Sequence, residues 1–64
     1  MMNYIELIQQ QAEQVFGDKK KAAAWLNKPQ TVSGGMTPLE ISNAENGYIL
    51  IKNALERLNQ GYTP

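Results

Sequence analysis

Apolar residues in this chain recur at spacings of three and four, and nowhere do they alternate long enough to make a strand. A helical period running from end to end points to one fold class, an all-α bundle of about four helices. The 64 residues leave room for one domain, residues 1–64, with one small core. No cysteine is present to staple that core, by disulfide or by thiolate-bound metal.

The first helix is expected from Asn3 to Phe16. Ile5, Ile8, Ala12, Val15 and Phe16 make its apolar stripe, and Glu6, Gln9, Gln10, Glu13 and Gln14 its polar side. Gly17 reads as a left-handed cap. Asp18 then offers its carboxylate to the first turn of a second helix, about Lys19 to Asn27. Ala22, Ala23, Trp25 and Leu26 are its buried candidates, and Pro29 closes it by pushing the preceding residue out of the helical region. Gln30 to Met36 reads as loop, with Gly34 and Gly35 making the turn. Thr37-Pro38-Leu39-Glu40 is a helix start: a threonine cap, proline at the first helical position, and a glutamate that can reach back in a capping box. That third helix is short, because Ser42-Asn43 interrupts it; Leu39 and Ile41 are expected to face the core. Ser42 or Asn43 is expected to cap the fourth helix, about Ala44 to Asn59, with Glu45 three residues after Ser42 repeating the box pattern. Gly61 is the expected terminator, with Tyr62-Thr63-Pro64 leaving as an extended tail.

The inventory for catalysis is thin. There is no histidine, so the commonest general base and metal ligand are missing. Of the six carboxylates, Asp18 and Glu40 have capping work, Glu45 sits favourably in a first turn, and none forms an obvious pair with a raised pKa. Ser33 and Ser42 have no base beside them. The expectation is therefore a non-enzyme without metal or cofactor. The double glycine lacks the preceding strand and following lysine of a phosphate loop. Six basic and six acidic side chains give formal neutrality, with no surplus for phosphate backbones. Lys19, Lys20 and Lys21 point three ways around a helix, which suits a solvated face better than a phosphate patch. Independent DNA binding is not expected, since the short third helix offers Leu39, Glu40, Ile41 and Ser42 to a groove. No signal peptide or membrane-length apolar run occurs, so a cytoplasmic protein is expected.

The fourth helix carries more hydrophobic surface than a small core needs. Gly47, Leu50, Ile51, Ala54, Leu55 and Leu58 form a broad stripe, with Tyr48 and Ile49 outside its centre. Tyr48 is followed by Lys52, Leu55, Asn59 and Tyr62 down a neighbouring face, and Tyr4 can join them. Aromatic residues among aliphatic ones and a few charges make interface anchors; they can equally complete the core of a small domain.

Phe16-Gly17-Asp18, Ala24-Trp25-Leu26-Asn27-Lys28-Pro29, Gly34-Gly35-Met36-Thr37-Pro38-Leu39-Glu40, then Gly47 and Leu55 to Tyr62 follow one another in a recognisable order. From about residue 15 to 62 the chain resembles the C-terminal toxin-binding domain of Xre/MbcA/ParS-type bacterial antitoxins. The resemblance implies an all-helical domain that binds a toxin of RES-type fold, an enzyme that degrades NAD or transfers ADP-ribose. It implies that the last helix and tail obstruct the toxin's active-site cleft, through Tyr48, Lys52, Leu55, Arg57, Asn59, Tyr62 and Thr63. Trp25, Leu26, Gly34, Gly35, Thr37, Pro38, Leu39, Glu40, Gly47 and Gly61 become the structural motif. Self-association, as a homo-oligomer such as a dimer, is a further family tendency. The residues before the resemblance, Met1 to about Gln14, are too few for the helix-turn-helix domain that the usual member carries upstream. The competing expectations are a DNA-associated regulator fragment and a dimerisation module with no toxin.

Overall fold

The computed structural model describes residues 3–29 and 34–61. These form four helices in an all-α bundle: α1 Tyr4–Phe16, α2 Lys19–Leu26, α3 Pro38–Ile41 and α4 Glu45–Gly61. The stops between them follow from local chemistry. Asn3 caps α1 by accepting the Glu6 N–H at 3.2 Å. Gly17 ends it in the left-handed region at φ 69°, its own N–H donating to the Glu13 carbonyl. Asp18 begins α2 at once by accepting the Lys20 N–H at 2.8 Å. This two-residue link folds α2 back against α1, and the Phe16 and Trp25 rings meet at 6.0 Å.

The α3 start is the capping box that the sequence spells. Thr37 accepts the Glu40 N–H at 3.1 Å, and the Glu40 carboxylate accepts the Thr37 N–H at 3.0 Å. These bonds hold the Glu40 carboxyl below the usual carboxylate range, the Thr37 N–H being the larger cause and its side chain the second. Pro38 fills the first helical position and is buried. Gly34 and Gly35 enter α3 at φ 71° and 92°, a region that other residues seldom occupy.

Ser42 does not begin α4. It is the C-cap of α3, wholly buried, and its hydroxyl donates back to the Pro38 carbonyl at 2.7 Å. A buried hydroxyl needs a partner, and the α3 carbonyl one turn back is within reach. Asn43 makes no capping bond either; the first α4 bond runs from the Tyr48 N–H to the Ala44 carbonyl at 2.8 Å. Gly61 is the last residue of α4, and the tail expected after it, residues 62–64, lies outside the described residues.

The core is Ile8 and Ala12 from α1, Ala22 and Leu26 from α2, and Ile51 and Leu55 from α4. Helix α1 packs against both α2 and α4, while α3 makes lighter contacts with α2 and α4. Tyr4 stacks on Tyr48 with ring centroids 4.8 Å apart, and the Gln11 side-chain amide donates to the Lys52 carbonyl at 3.2 Å. Early residues of α1 thus meet early residues of α4, so the two helices run side by side in the same direction. Ala23 lies exposed rather than buried, in a cleft it lines with Gln9 and Glu13 of α1.

Candidate functional site

The face of α4 left uncovered is set by what covers the rest. Gly47 lies against the end of α3. A Cβ there would overlap the Ile41 carbonyl oxygen and come within 2.7 Å of its carbon, so only glycine lets the two helices meet this closely. The Tyr48 side faces α1. The buried arc of α4 accordingly centres on Ile51 and Leu55, with Tyr48 and Leu58 packed at its edges. Leu50, expected in the buried stripe, is 60 % exposed, and Ile49 is 47 % exposed. The stripe read from spacing alone is rotated on the helix, because no helix lies over the Leu50 side.

The toxin-facing candidates therefore separate. Lys52 and Asn59 are exposed on the flank nearer α1; Asn59 lines a shallow cleft with Gln11, Gln14, Val15 and Glu56. Tyr48 is half-buried in its stack with Tyr4 on that flank. Arg57 is five residues beyond Lys52, roughly 140° further around the helix. It lies on the other flank, in an open groove of about 610 Å³ that it lines with Trp25, Ala54, Leu58 and Gly61. Leu55 is 0 % exposed, so its side chain belongs to the core and not to this surface. Tyr62 and Thr63 fall outside the described residues.

The expected scaffold residues sit where a scaffold would. Leu26 and Pro38 are buried, Leu39 and Trp25 half-buried, and the Thr37–Glu40 box and the Gly34–Gly35 turn deliver α3 to the base of α4. Among the described residues no group of three or more His, Cys, Asp or Glu could hold a metal ion. None of their helices is long and apolar enough to cross a membrane. Sequence reasoning missed Leu50 as a surface residue. Its spacing from Gly47 and Ala54 looks like core spacing, and only the position of α1 shows otherwise.

Together these features define a small helical binding module: a capped scaffold that holds one long helix with both flanks accessible. A family model, the antitoxin Xre/MbcA/ParS C-terminal toxin-binding domain, matches residues 11–61. The chain belongs to this family. It is also 35 % identical over 51 residues to the antitoxin Xre of Pseudomonas putida strain KT2440, covering 80 % of this chain. The chain spans about a third of that relative's length, 32 %. No solved structure matches it. The family's description is of toxin binding.

Proposed function

We propose that this domain neutralises a RES-type toxin, an enzyme that consumes NAD or transfers ADP-ribose, by laying α4 and residues 62–64 over its active-site cleft. The observation that carries the reading is the family match across residues 11–61, which takes in the C-terminal half of α1 and all of α2, α3 and α4. The exposure of Leu50, Lys52, Arg57 and Asn59 along α4 supports it. Tyr48, stacked on Tyr4, adds a braced aromatic edge to the same helix. Leu55 acts from beneath, by holding α4 on the core.

Occlusion needs no catalytic group. It needs a rigid element and a segment that reaches a cleft, and the scaffold supplies the first. The test is co-purification of the chain with a RES-type toxin expressed from its own host. Wild type is expected to form a complex, and Tyr62→Ala or deletion of residues 61–64 to weaken it with far-UV circular dichroism unchanged. Equal complex formation by both variants would rule out the tail's part.

We also propose a cytoplasmic location and self-association, the latter supported by the exposed Ile49. A dimer is expected by sedimentation at micromolar concentration; a monomer there would remove it. Independent DNA binding is not part of this reading, given the formal net charge of zero.

A further inference from the structure

We infer that the groove between Trp25 and the C-terminal half of α4 receives an apolar side chain of the toxin-type partner, whose neighbouring carboxylate pairs with Arg57. The identity of the partner rests on the proposed function; the chemistry of the contact rests on the groove. Its walls are the Trp25 ring, Leu58, and the small residues Ala54 and Gly61, which leave space for an incoming side chain. Leu50, one turn before Ala54 and 60 % exposed, carries the apolar surface out of the groove along α4. An open trough continued by an exposed leucine suits a protein surface better than an enclosed small molecule.

Charge selects the occupant. Arg57 is the chain's lone arginine. Its guanidinium makes no hydrogen bond or ion pair among the described residues. Glu56, its neighbour, points roughly 100° away around the helix and lines the cleft on the opposite flank. The Trp25 indole N–H likewise has no acceptor among the described residues, and no buried side-chain donor there is left unpaired, so the indole nitrogen is accessible. Trp25 and Arg57, each with a side-chain donor that has no acceptor among the described residues, both line one apolar trough. A carboxylate beside an aliphatic or aromatic side chain matches them, and a guanidinium binds it in a planar fork that a lysine cannot offer. Phe16, 6.0 Å from Trp25, braces the ring from behind, so little side-chain freedom is lost when the groove fills. Tryptophan and arginine in one desolvating pocket are also the residue types that dominate interface energetics.

Trp25 is the chain's single tryptophan, so 5-fluorotryptophan labelling places one 19F signal in the groove. The full labelled chain is titrated with a purified RES-type toxin from its own host. The 19F signal is expected to shift, and Arg57→Glu to weaken binding about tenfold or more, with Arg57→Lys intermediate. Ala54→Arg is expected to do the same by filling the trough. Lys21→Glu, on an exposed turn of α2, is expected to change affinity by less than about threefold. Binding with an unmoved 19F signal and an unaffected Arg57→Glu variant overturns the groove assignment and leaves the proposed function standing. No binding by wild type overturns both. A 19F shift that depends on the chain's own concentration, without toxin, assigns the groove to a second copy and overturns the proposal.

Discussion

At Gly47 a methyl group has nowhere to go. Its position against the Ile41 carbonyl predicts that Gly47→Ala destabilises the fold by at least about 2 kcal/mol, because backbone rather than a flexible side chain must move. Gly61→Ala meets nothing within 4 Å and is expected to stay within about 0.5 kcal/mol of wild type. Urea denaturation of the two variants checks the contrast. Glu40 gives a pH signature. Its folded pKa is lowered by the Thr37 bonds, so the stability it adds is complete above the ordinary glutamate pKa of about 4.3 and is lost as pH falls through the lower folded value. Glu40→Gln keeps the acceptor but does not titrate, so it should flatten the acid limb of the urea midpoint against pH. An unchanged acid limb would show that the ionisation of Glu40 contributes nothing to stability. These residue-scale features were legible in order and type: Thr37-Pro38-Leu39-Glu40 spelled its box, and Gly17-Asp18 its stop and restart. The reason for Gly47 was not legible, since the Ile41 carbonyl is brought to it only by the turn between α3 and α4.

The first three helices were readable because each begins on a residue with a strong local capping preference, Asn3, Asp18 and Thr37. Where two elements compete for one residue, sequence alone fails. Ser42 has the pattern of an α4 cap, yet burial beneath α3 commits its hydroxyl to the Pro38 carbonyl. Leu50 has the spacing of a core residue, yet α1 covers the other flank of α4. Both errors concern which neighbour an element finds, a question of packing rather than propensity. The entry to α3 depends on Gly34 and Gly35 at positive φ; replacing each with alanine should cost about 1–2 kcal/mol, and the double valine variant should lose cooperative unfolding. Leu55→Ala should cost about 2–5 kcal/mol as a cavity at the α1–α4 contact. A near-neutral Leu55→Ala that still weakened partner binding would instead make Leu55 a contact residue.

At the scale of the whole molecule, a 64-residue chain spends three of its helices on presenting the fourth. The scaffold was legible in the sequence because its punctuation is local. The proposed binding surface was legible only as an excess of hydrophobic residues, and its division into a Tyr48–Lys52–Asn59 flank and a Trp25–Arg57 flank needed the packed structure. That division predicts that substitutions on both flanks of α4 matter, as expected for a helix gripped in a cleft rather than laid on a flat surface. The most direct measurement is NAD turnover by a purified RES-type toxin from the chain's own host, followed as the chain is titrated in. Turnover is expected to fall to background near equimolar chain, and to recover when Lys52→Glu and Arg57→Glu are combined or residues 61–64 are removed. Undiminished turnover at a large excess of folded wild-type chain would contradict the account.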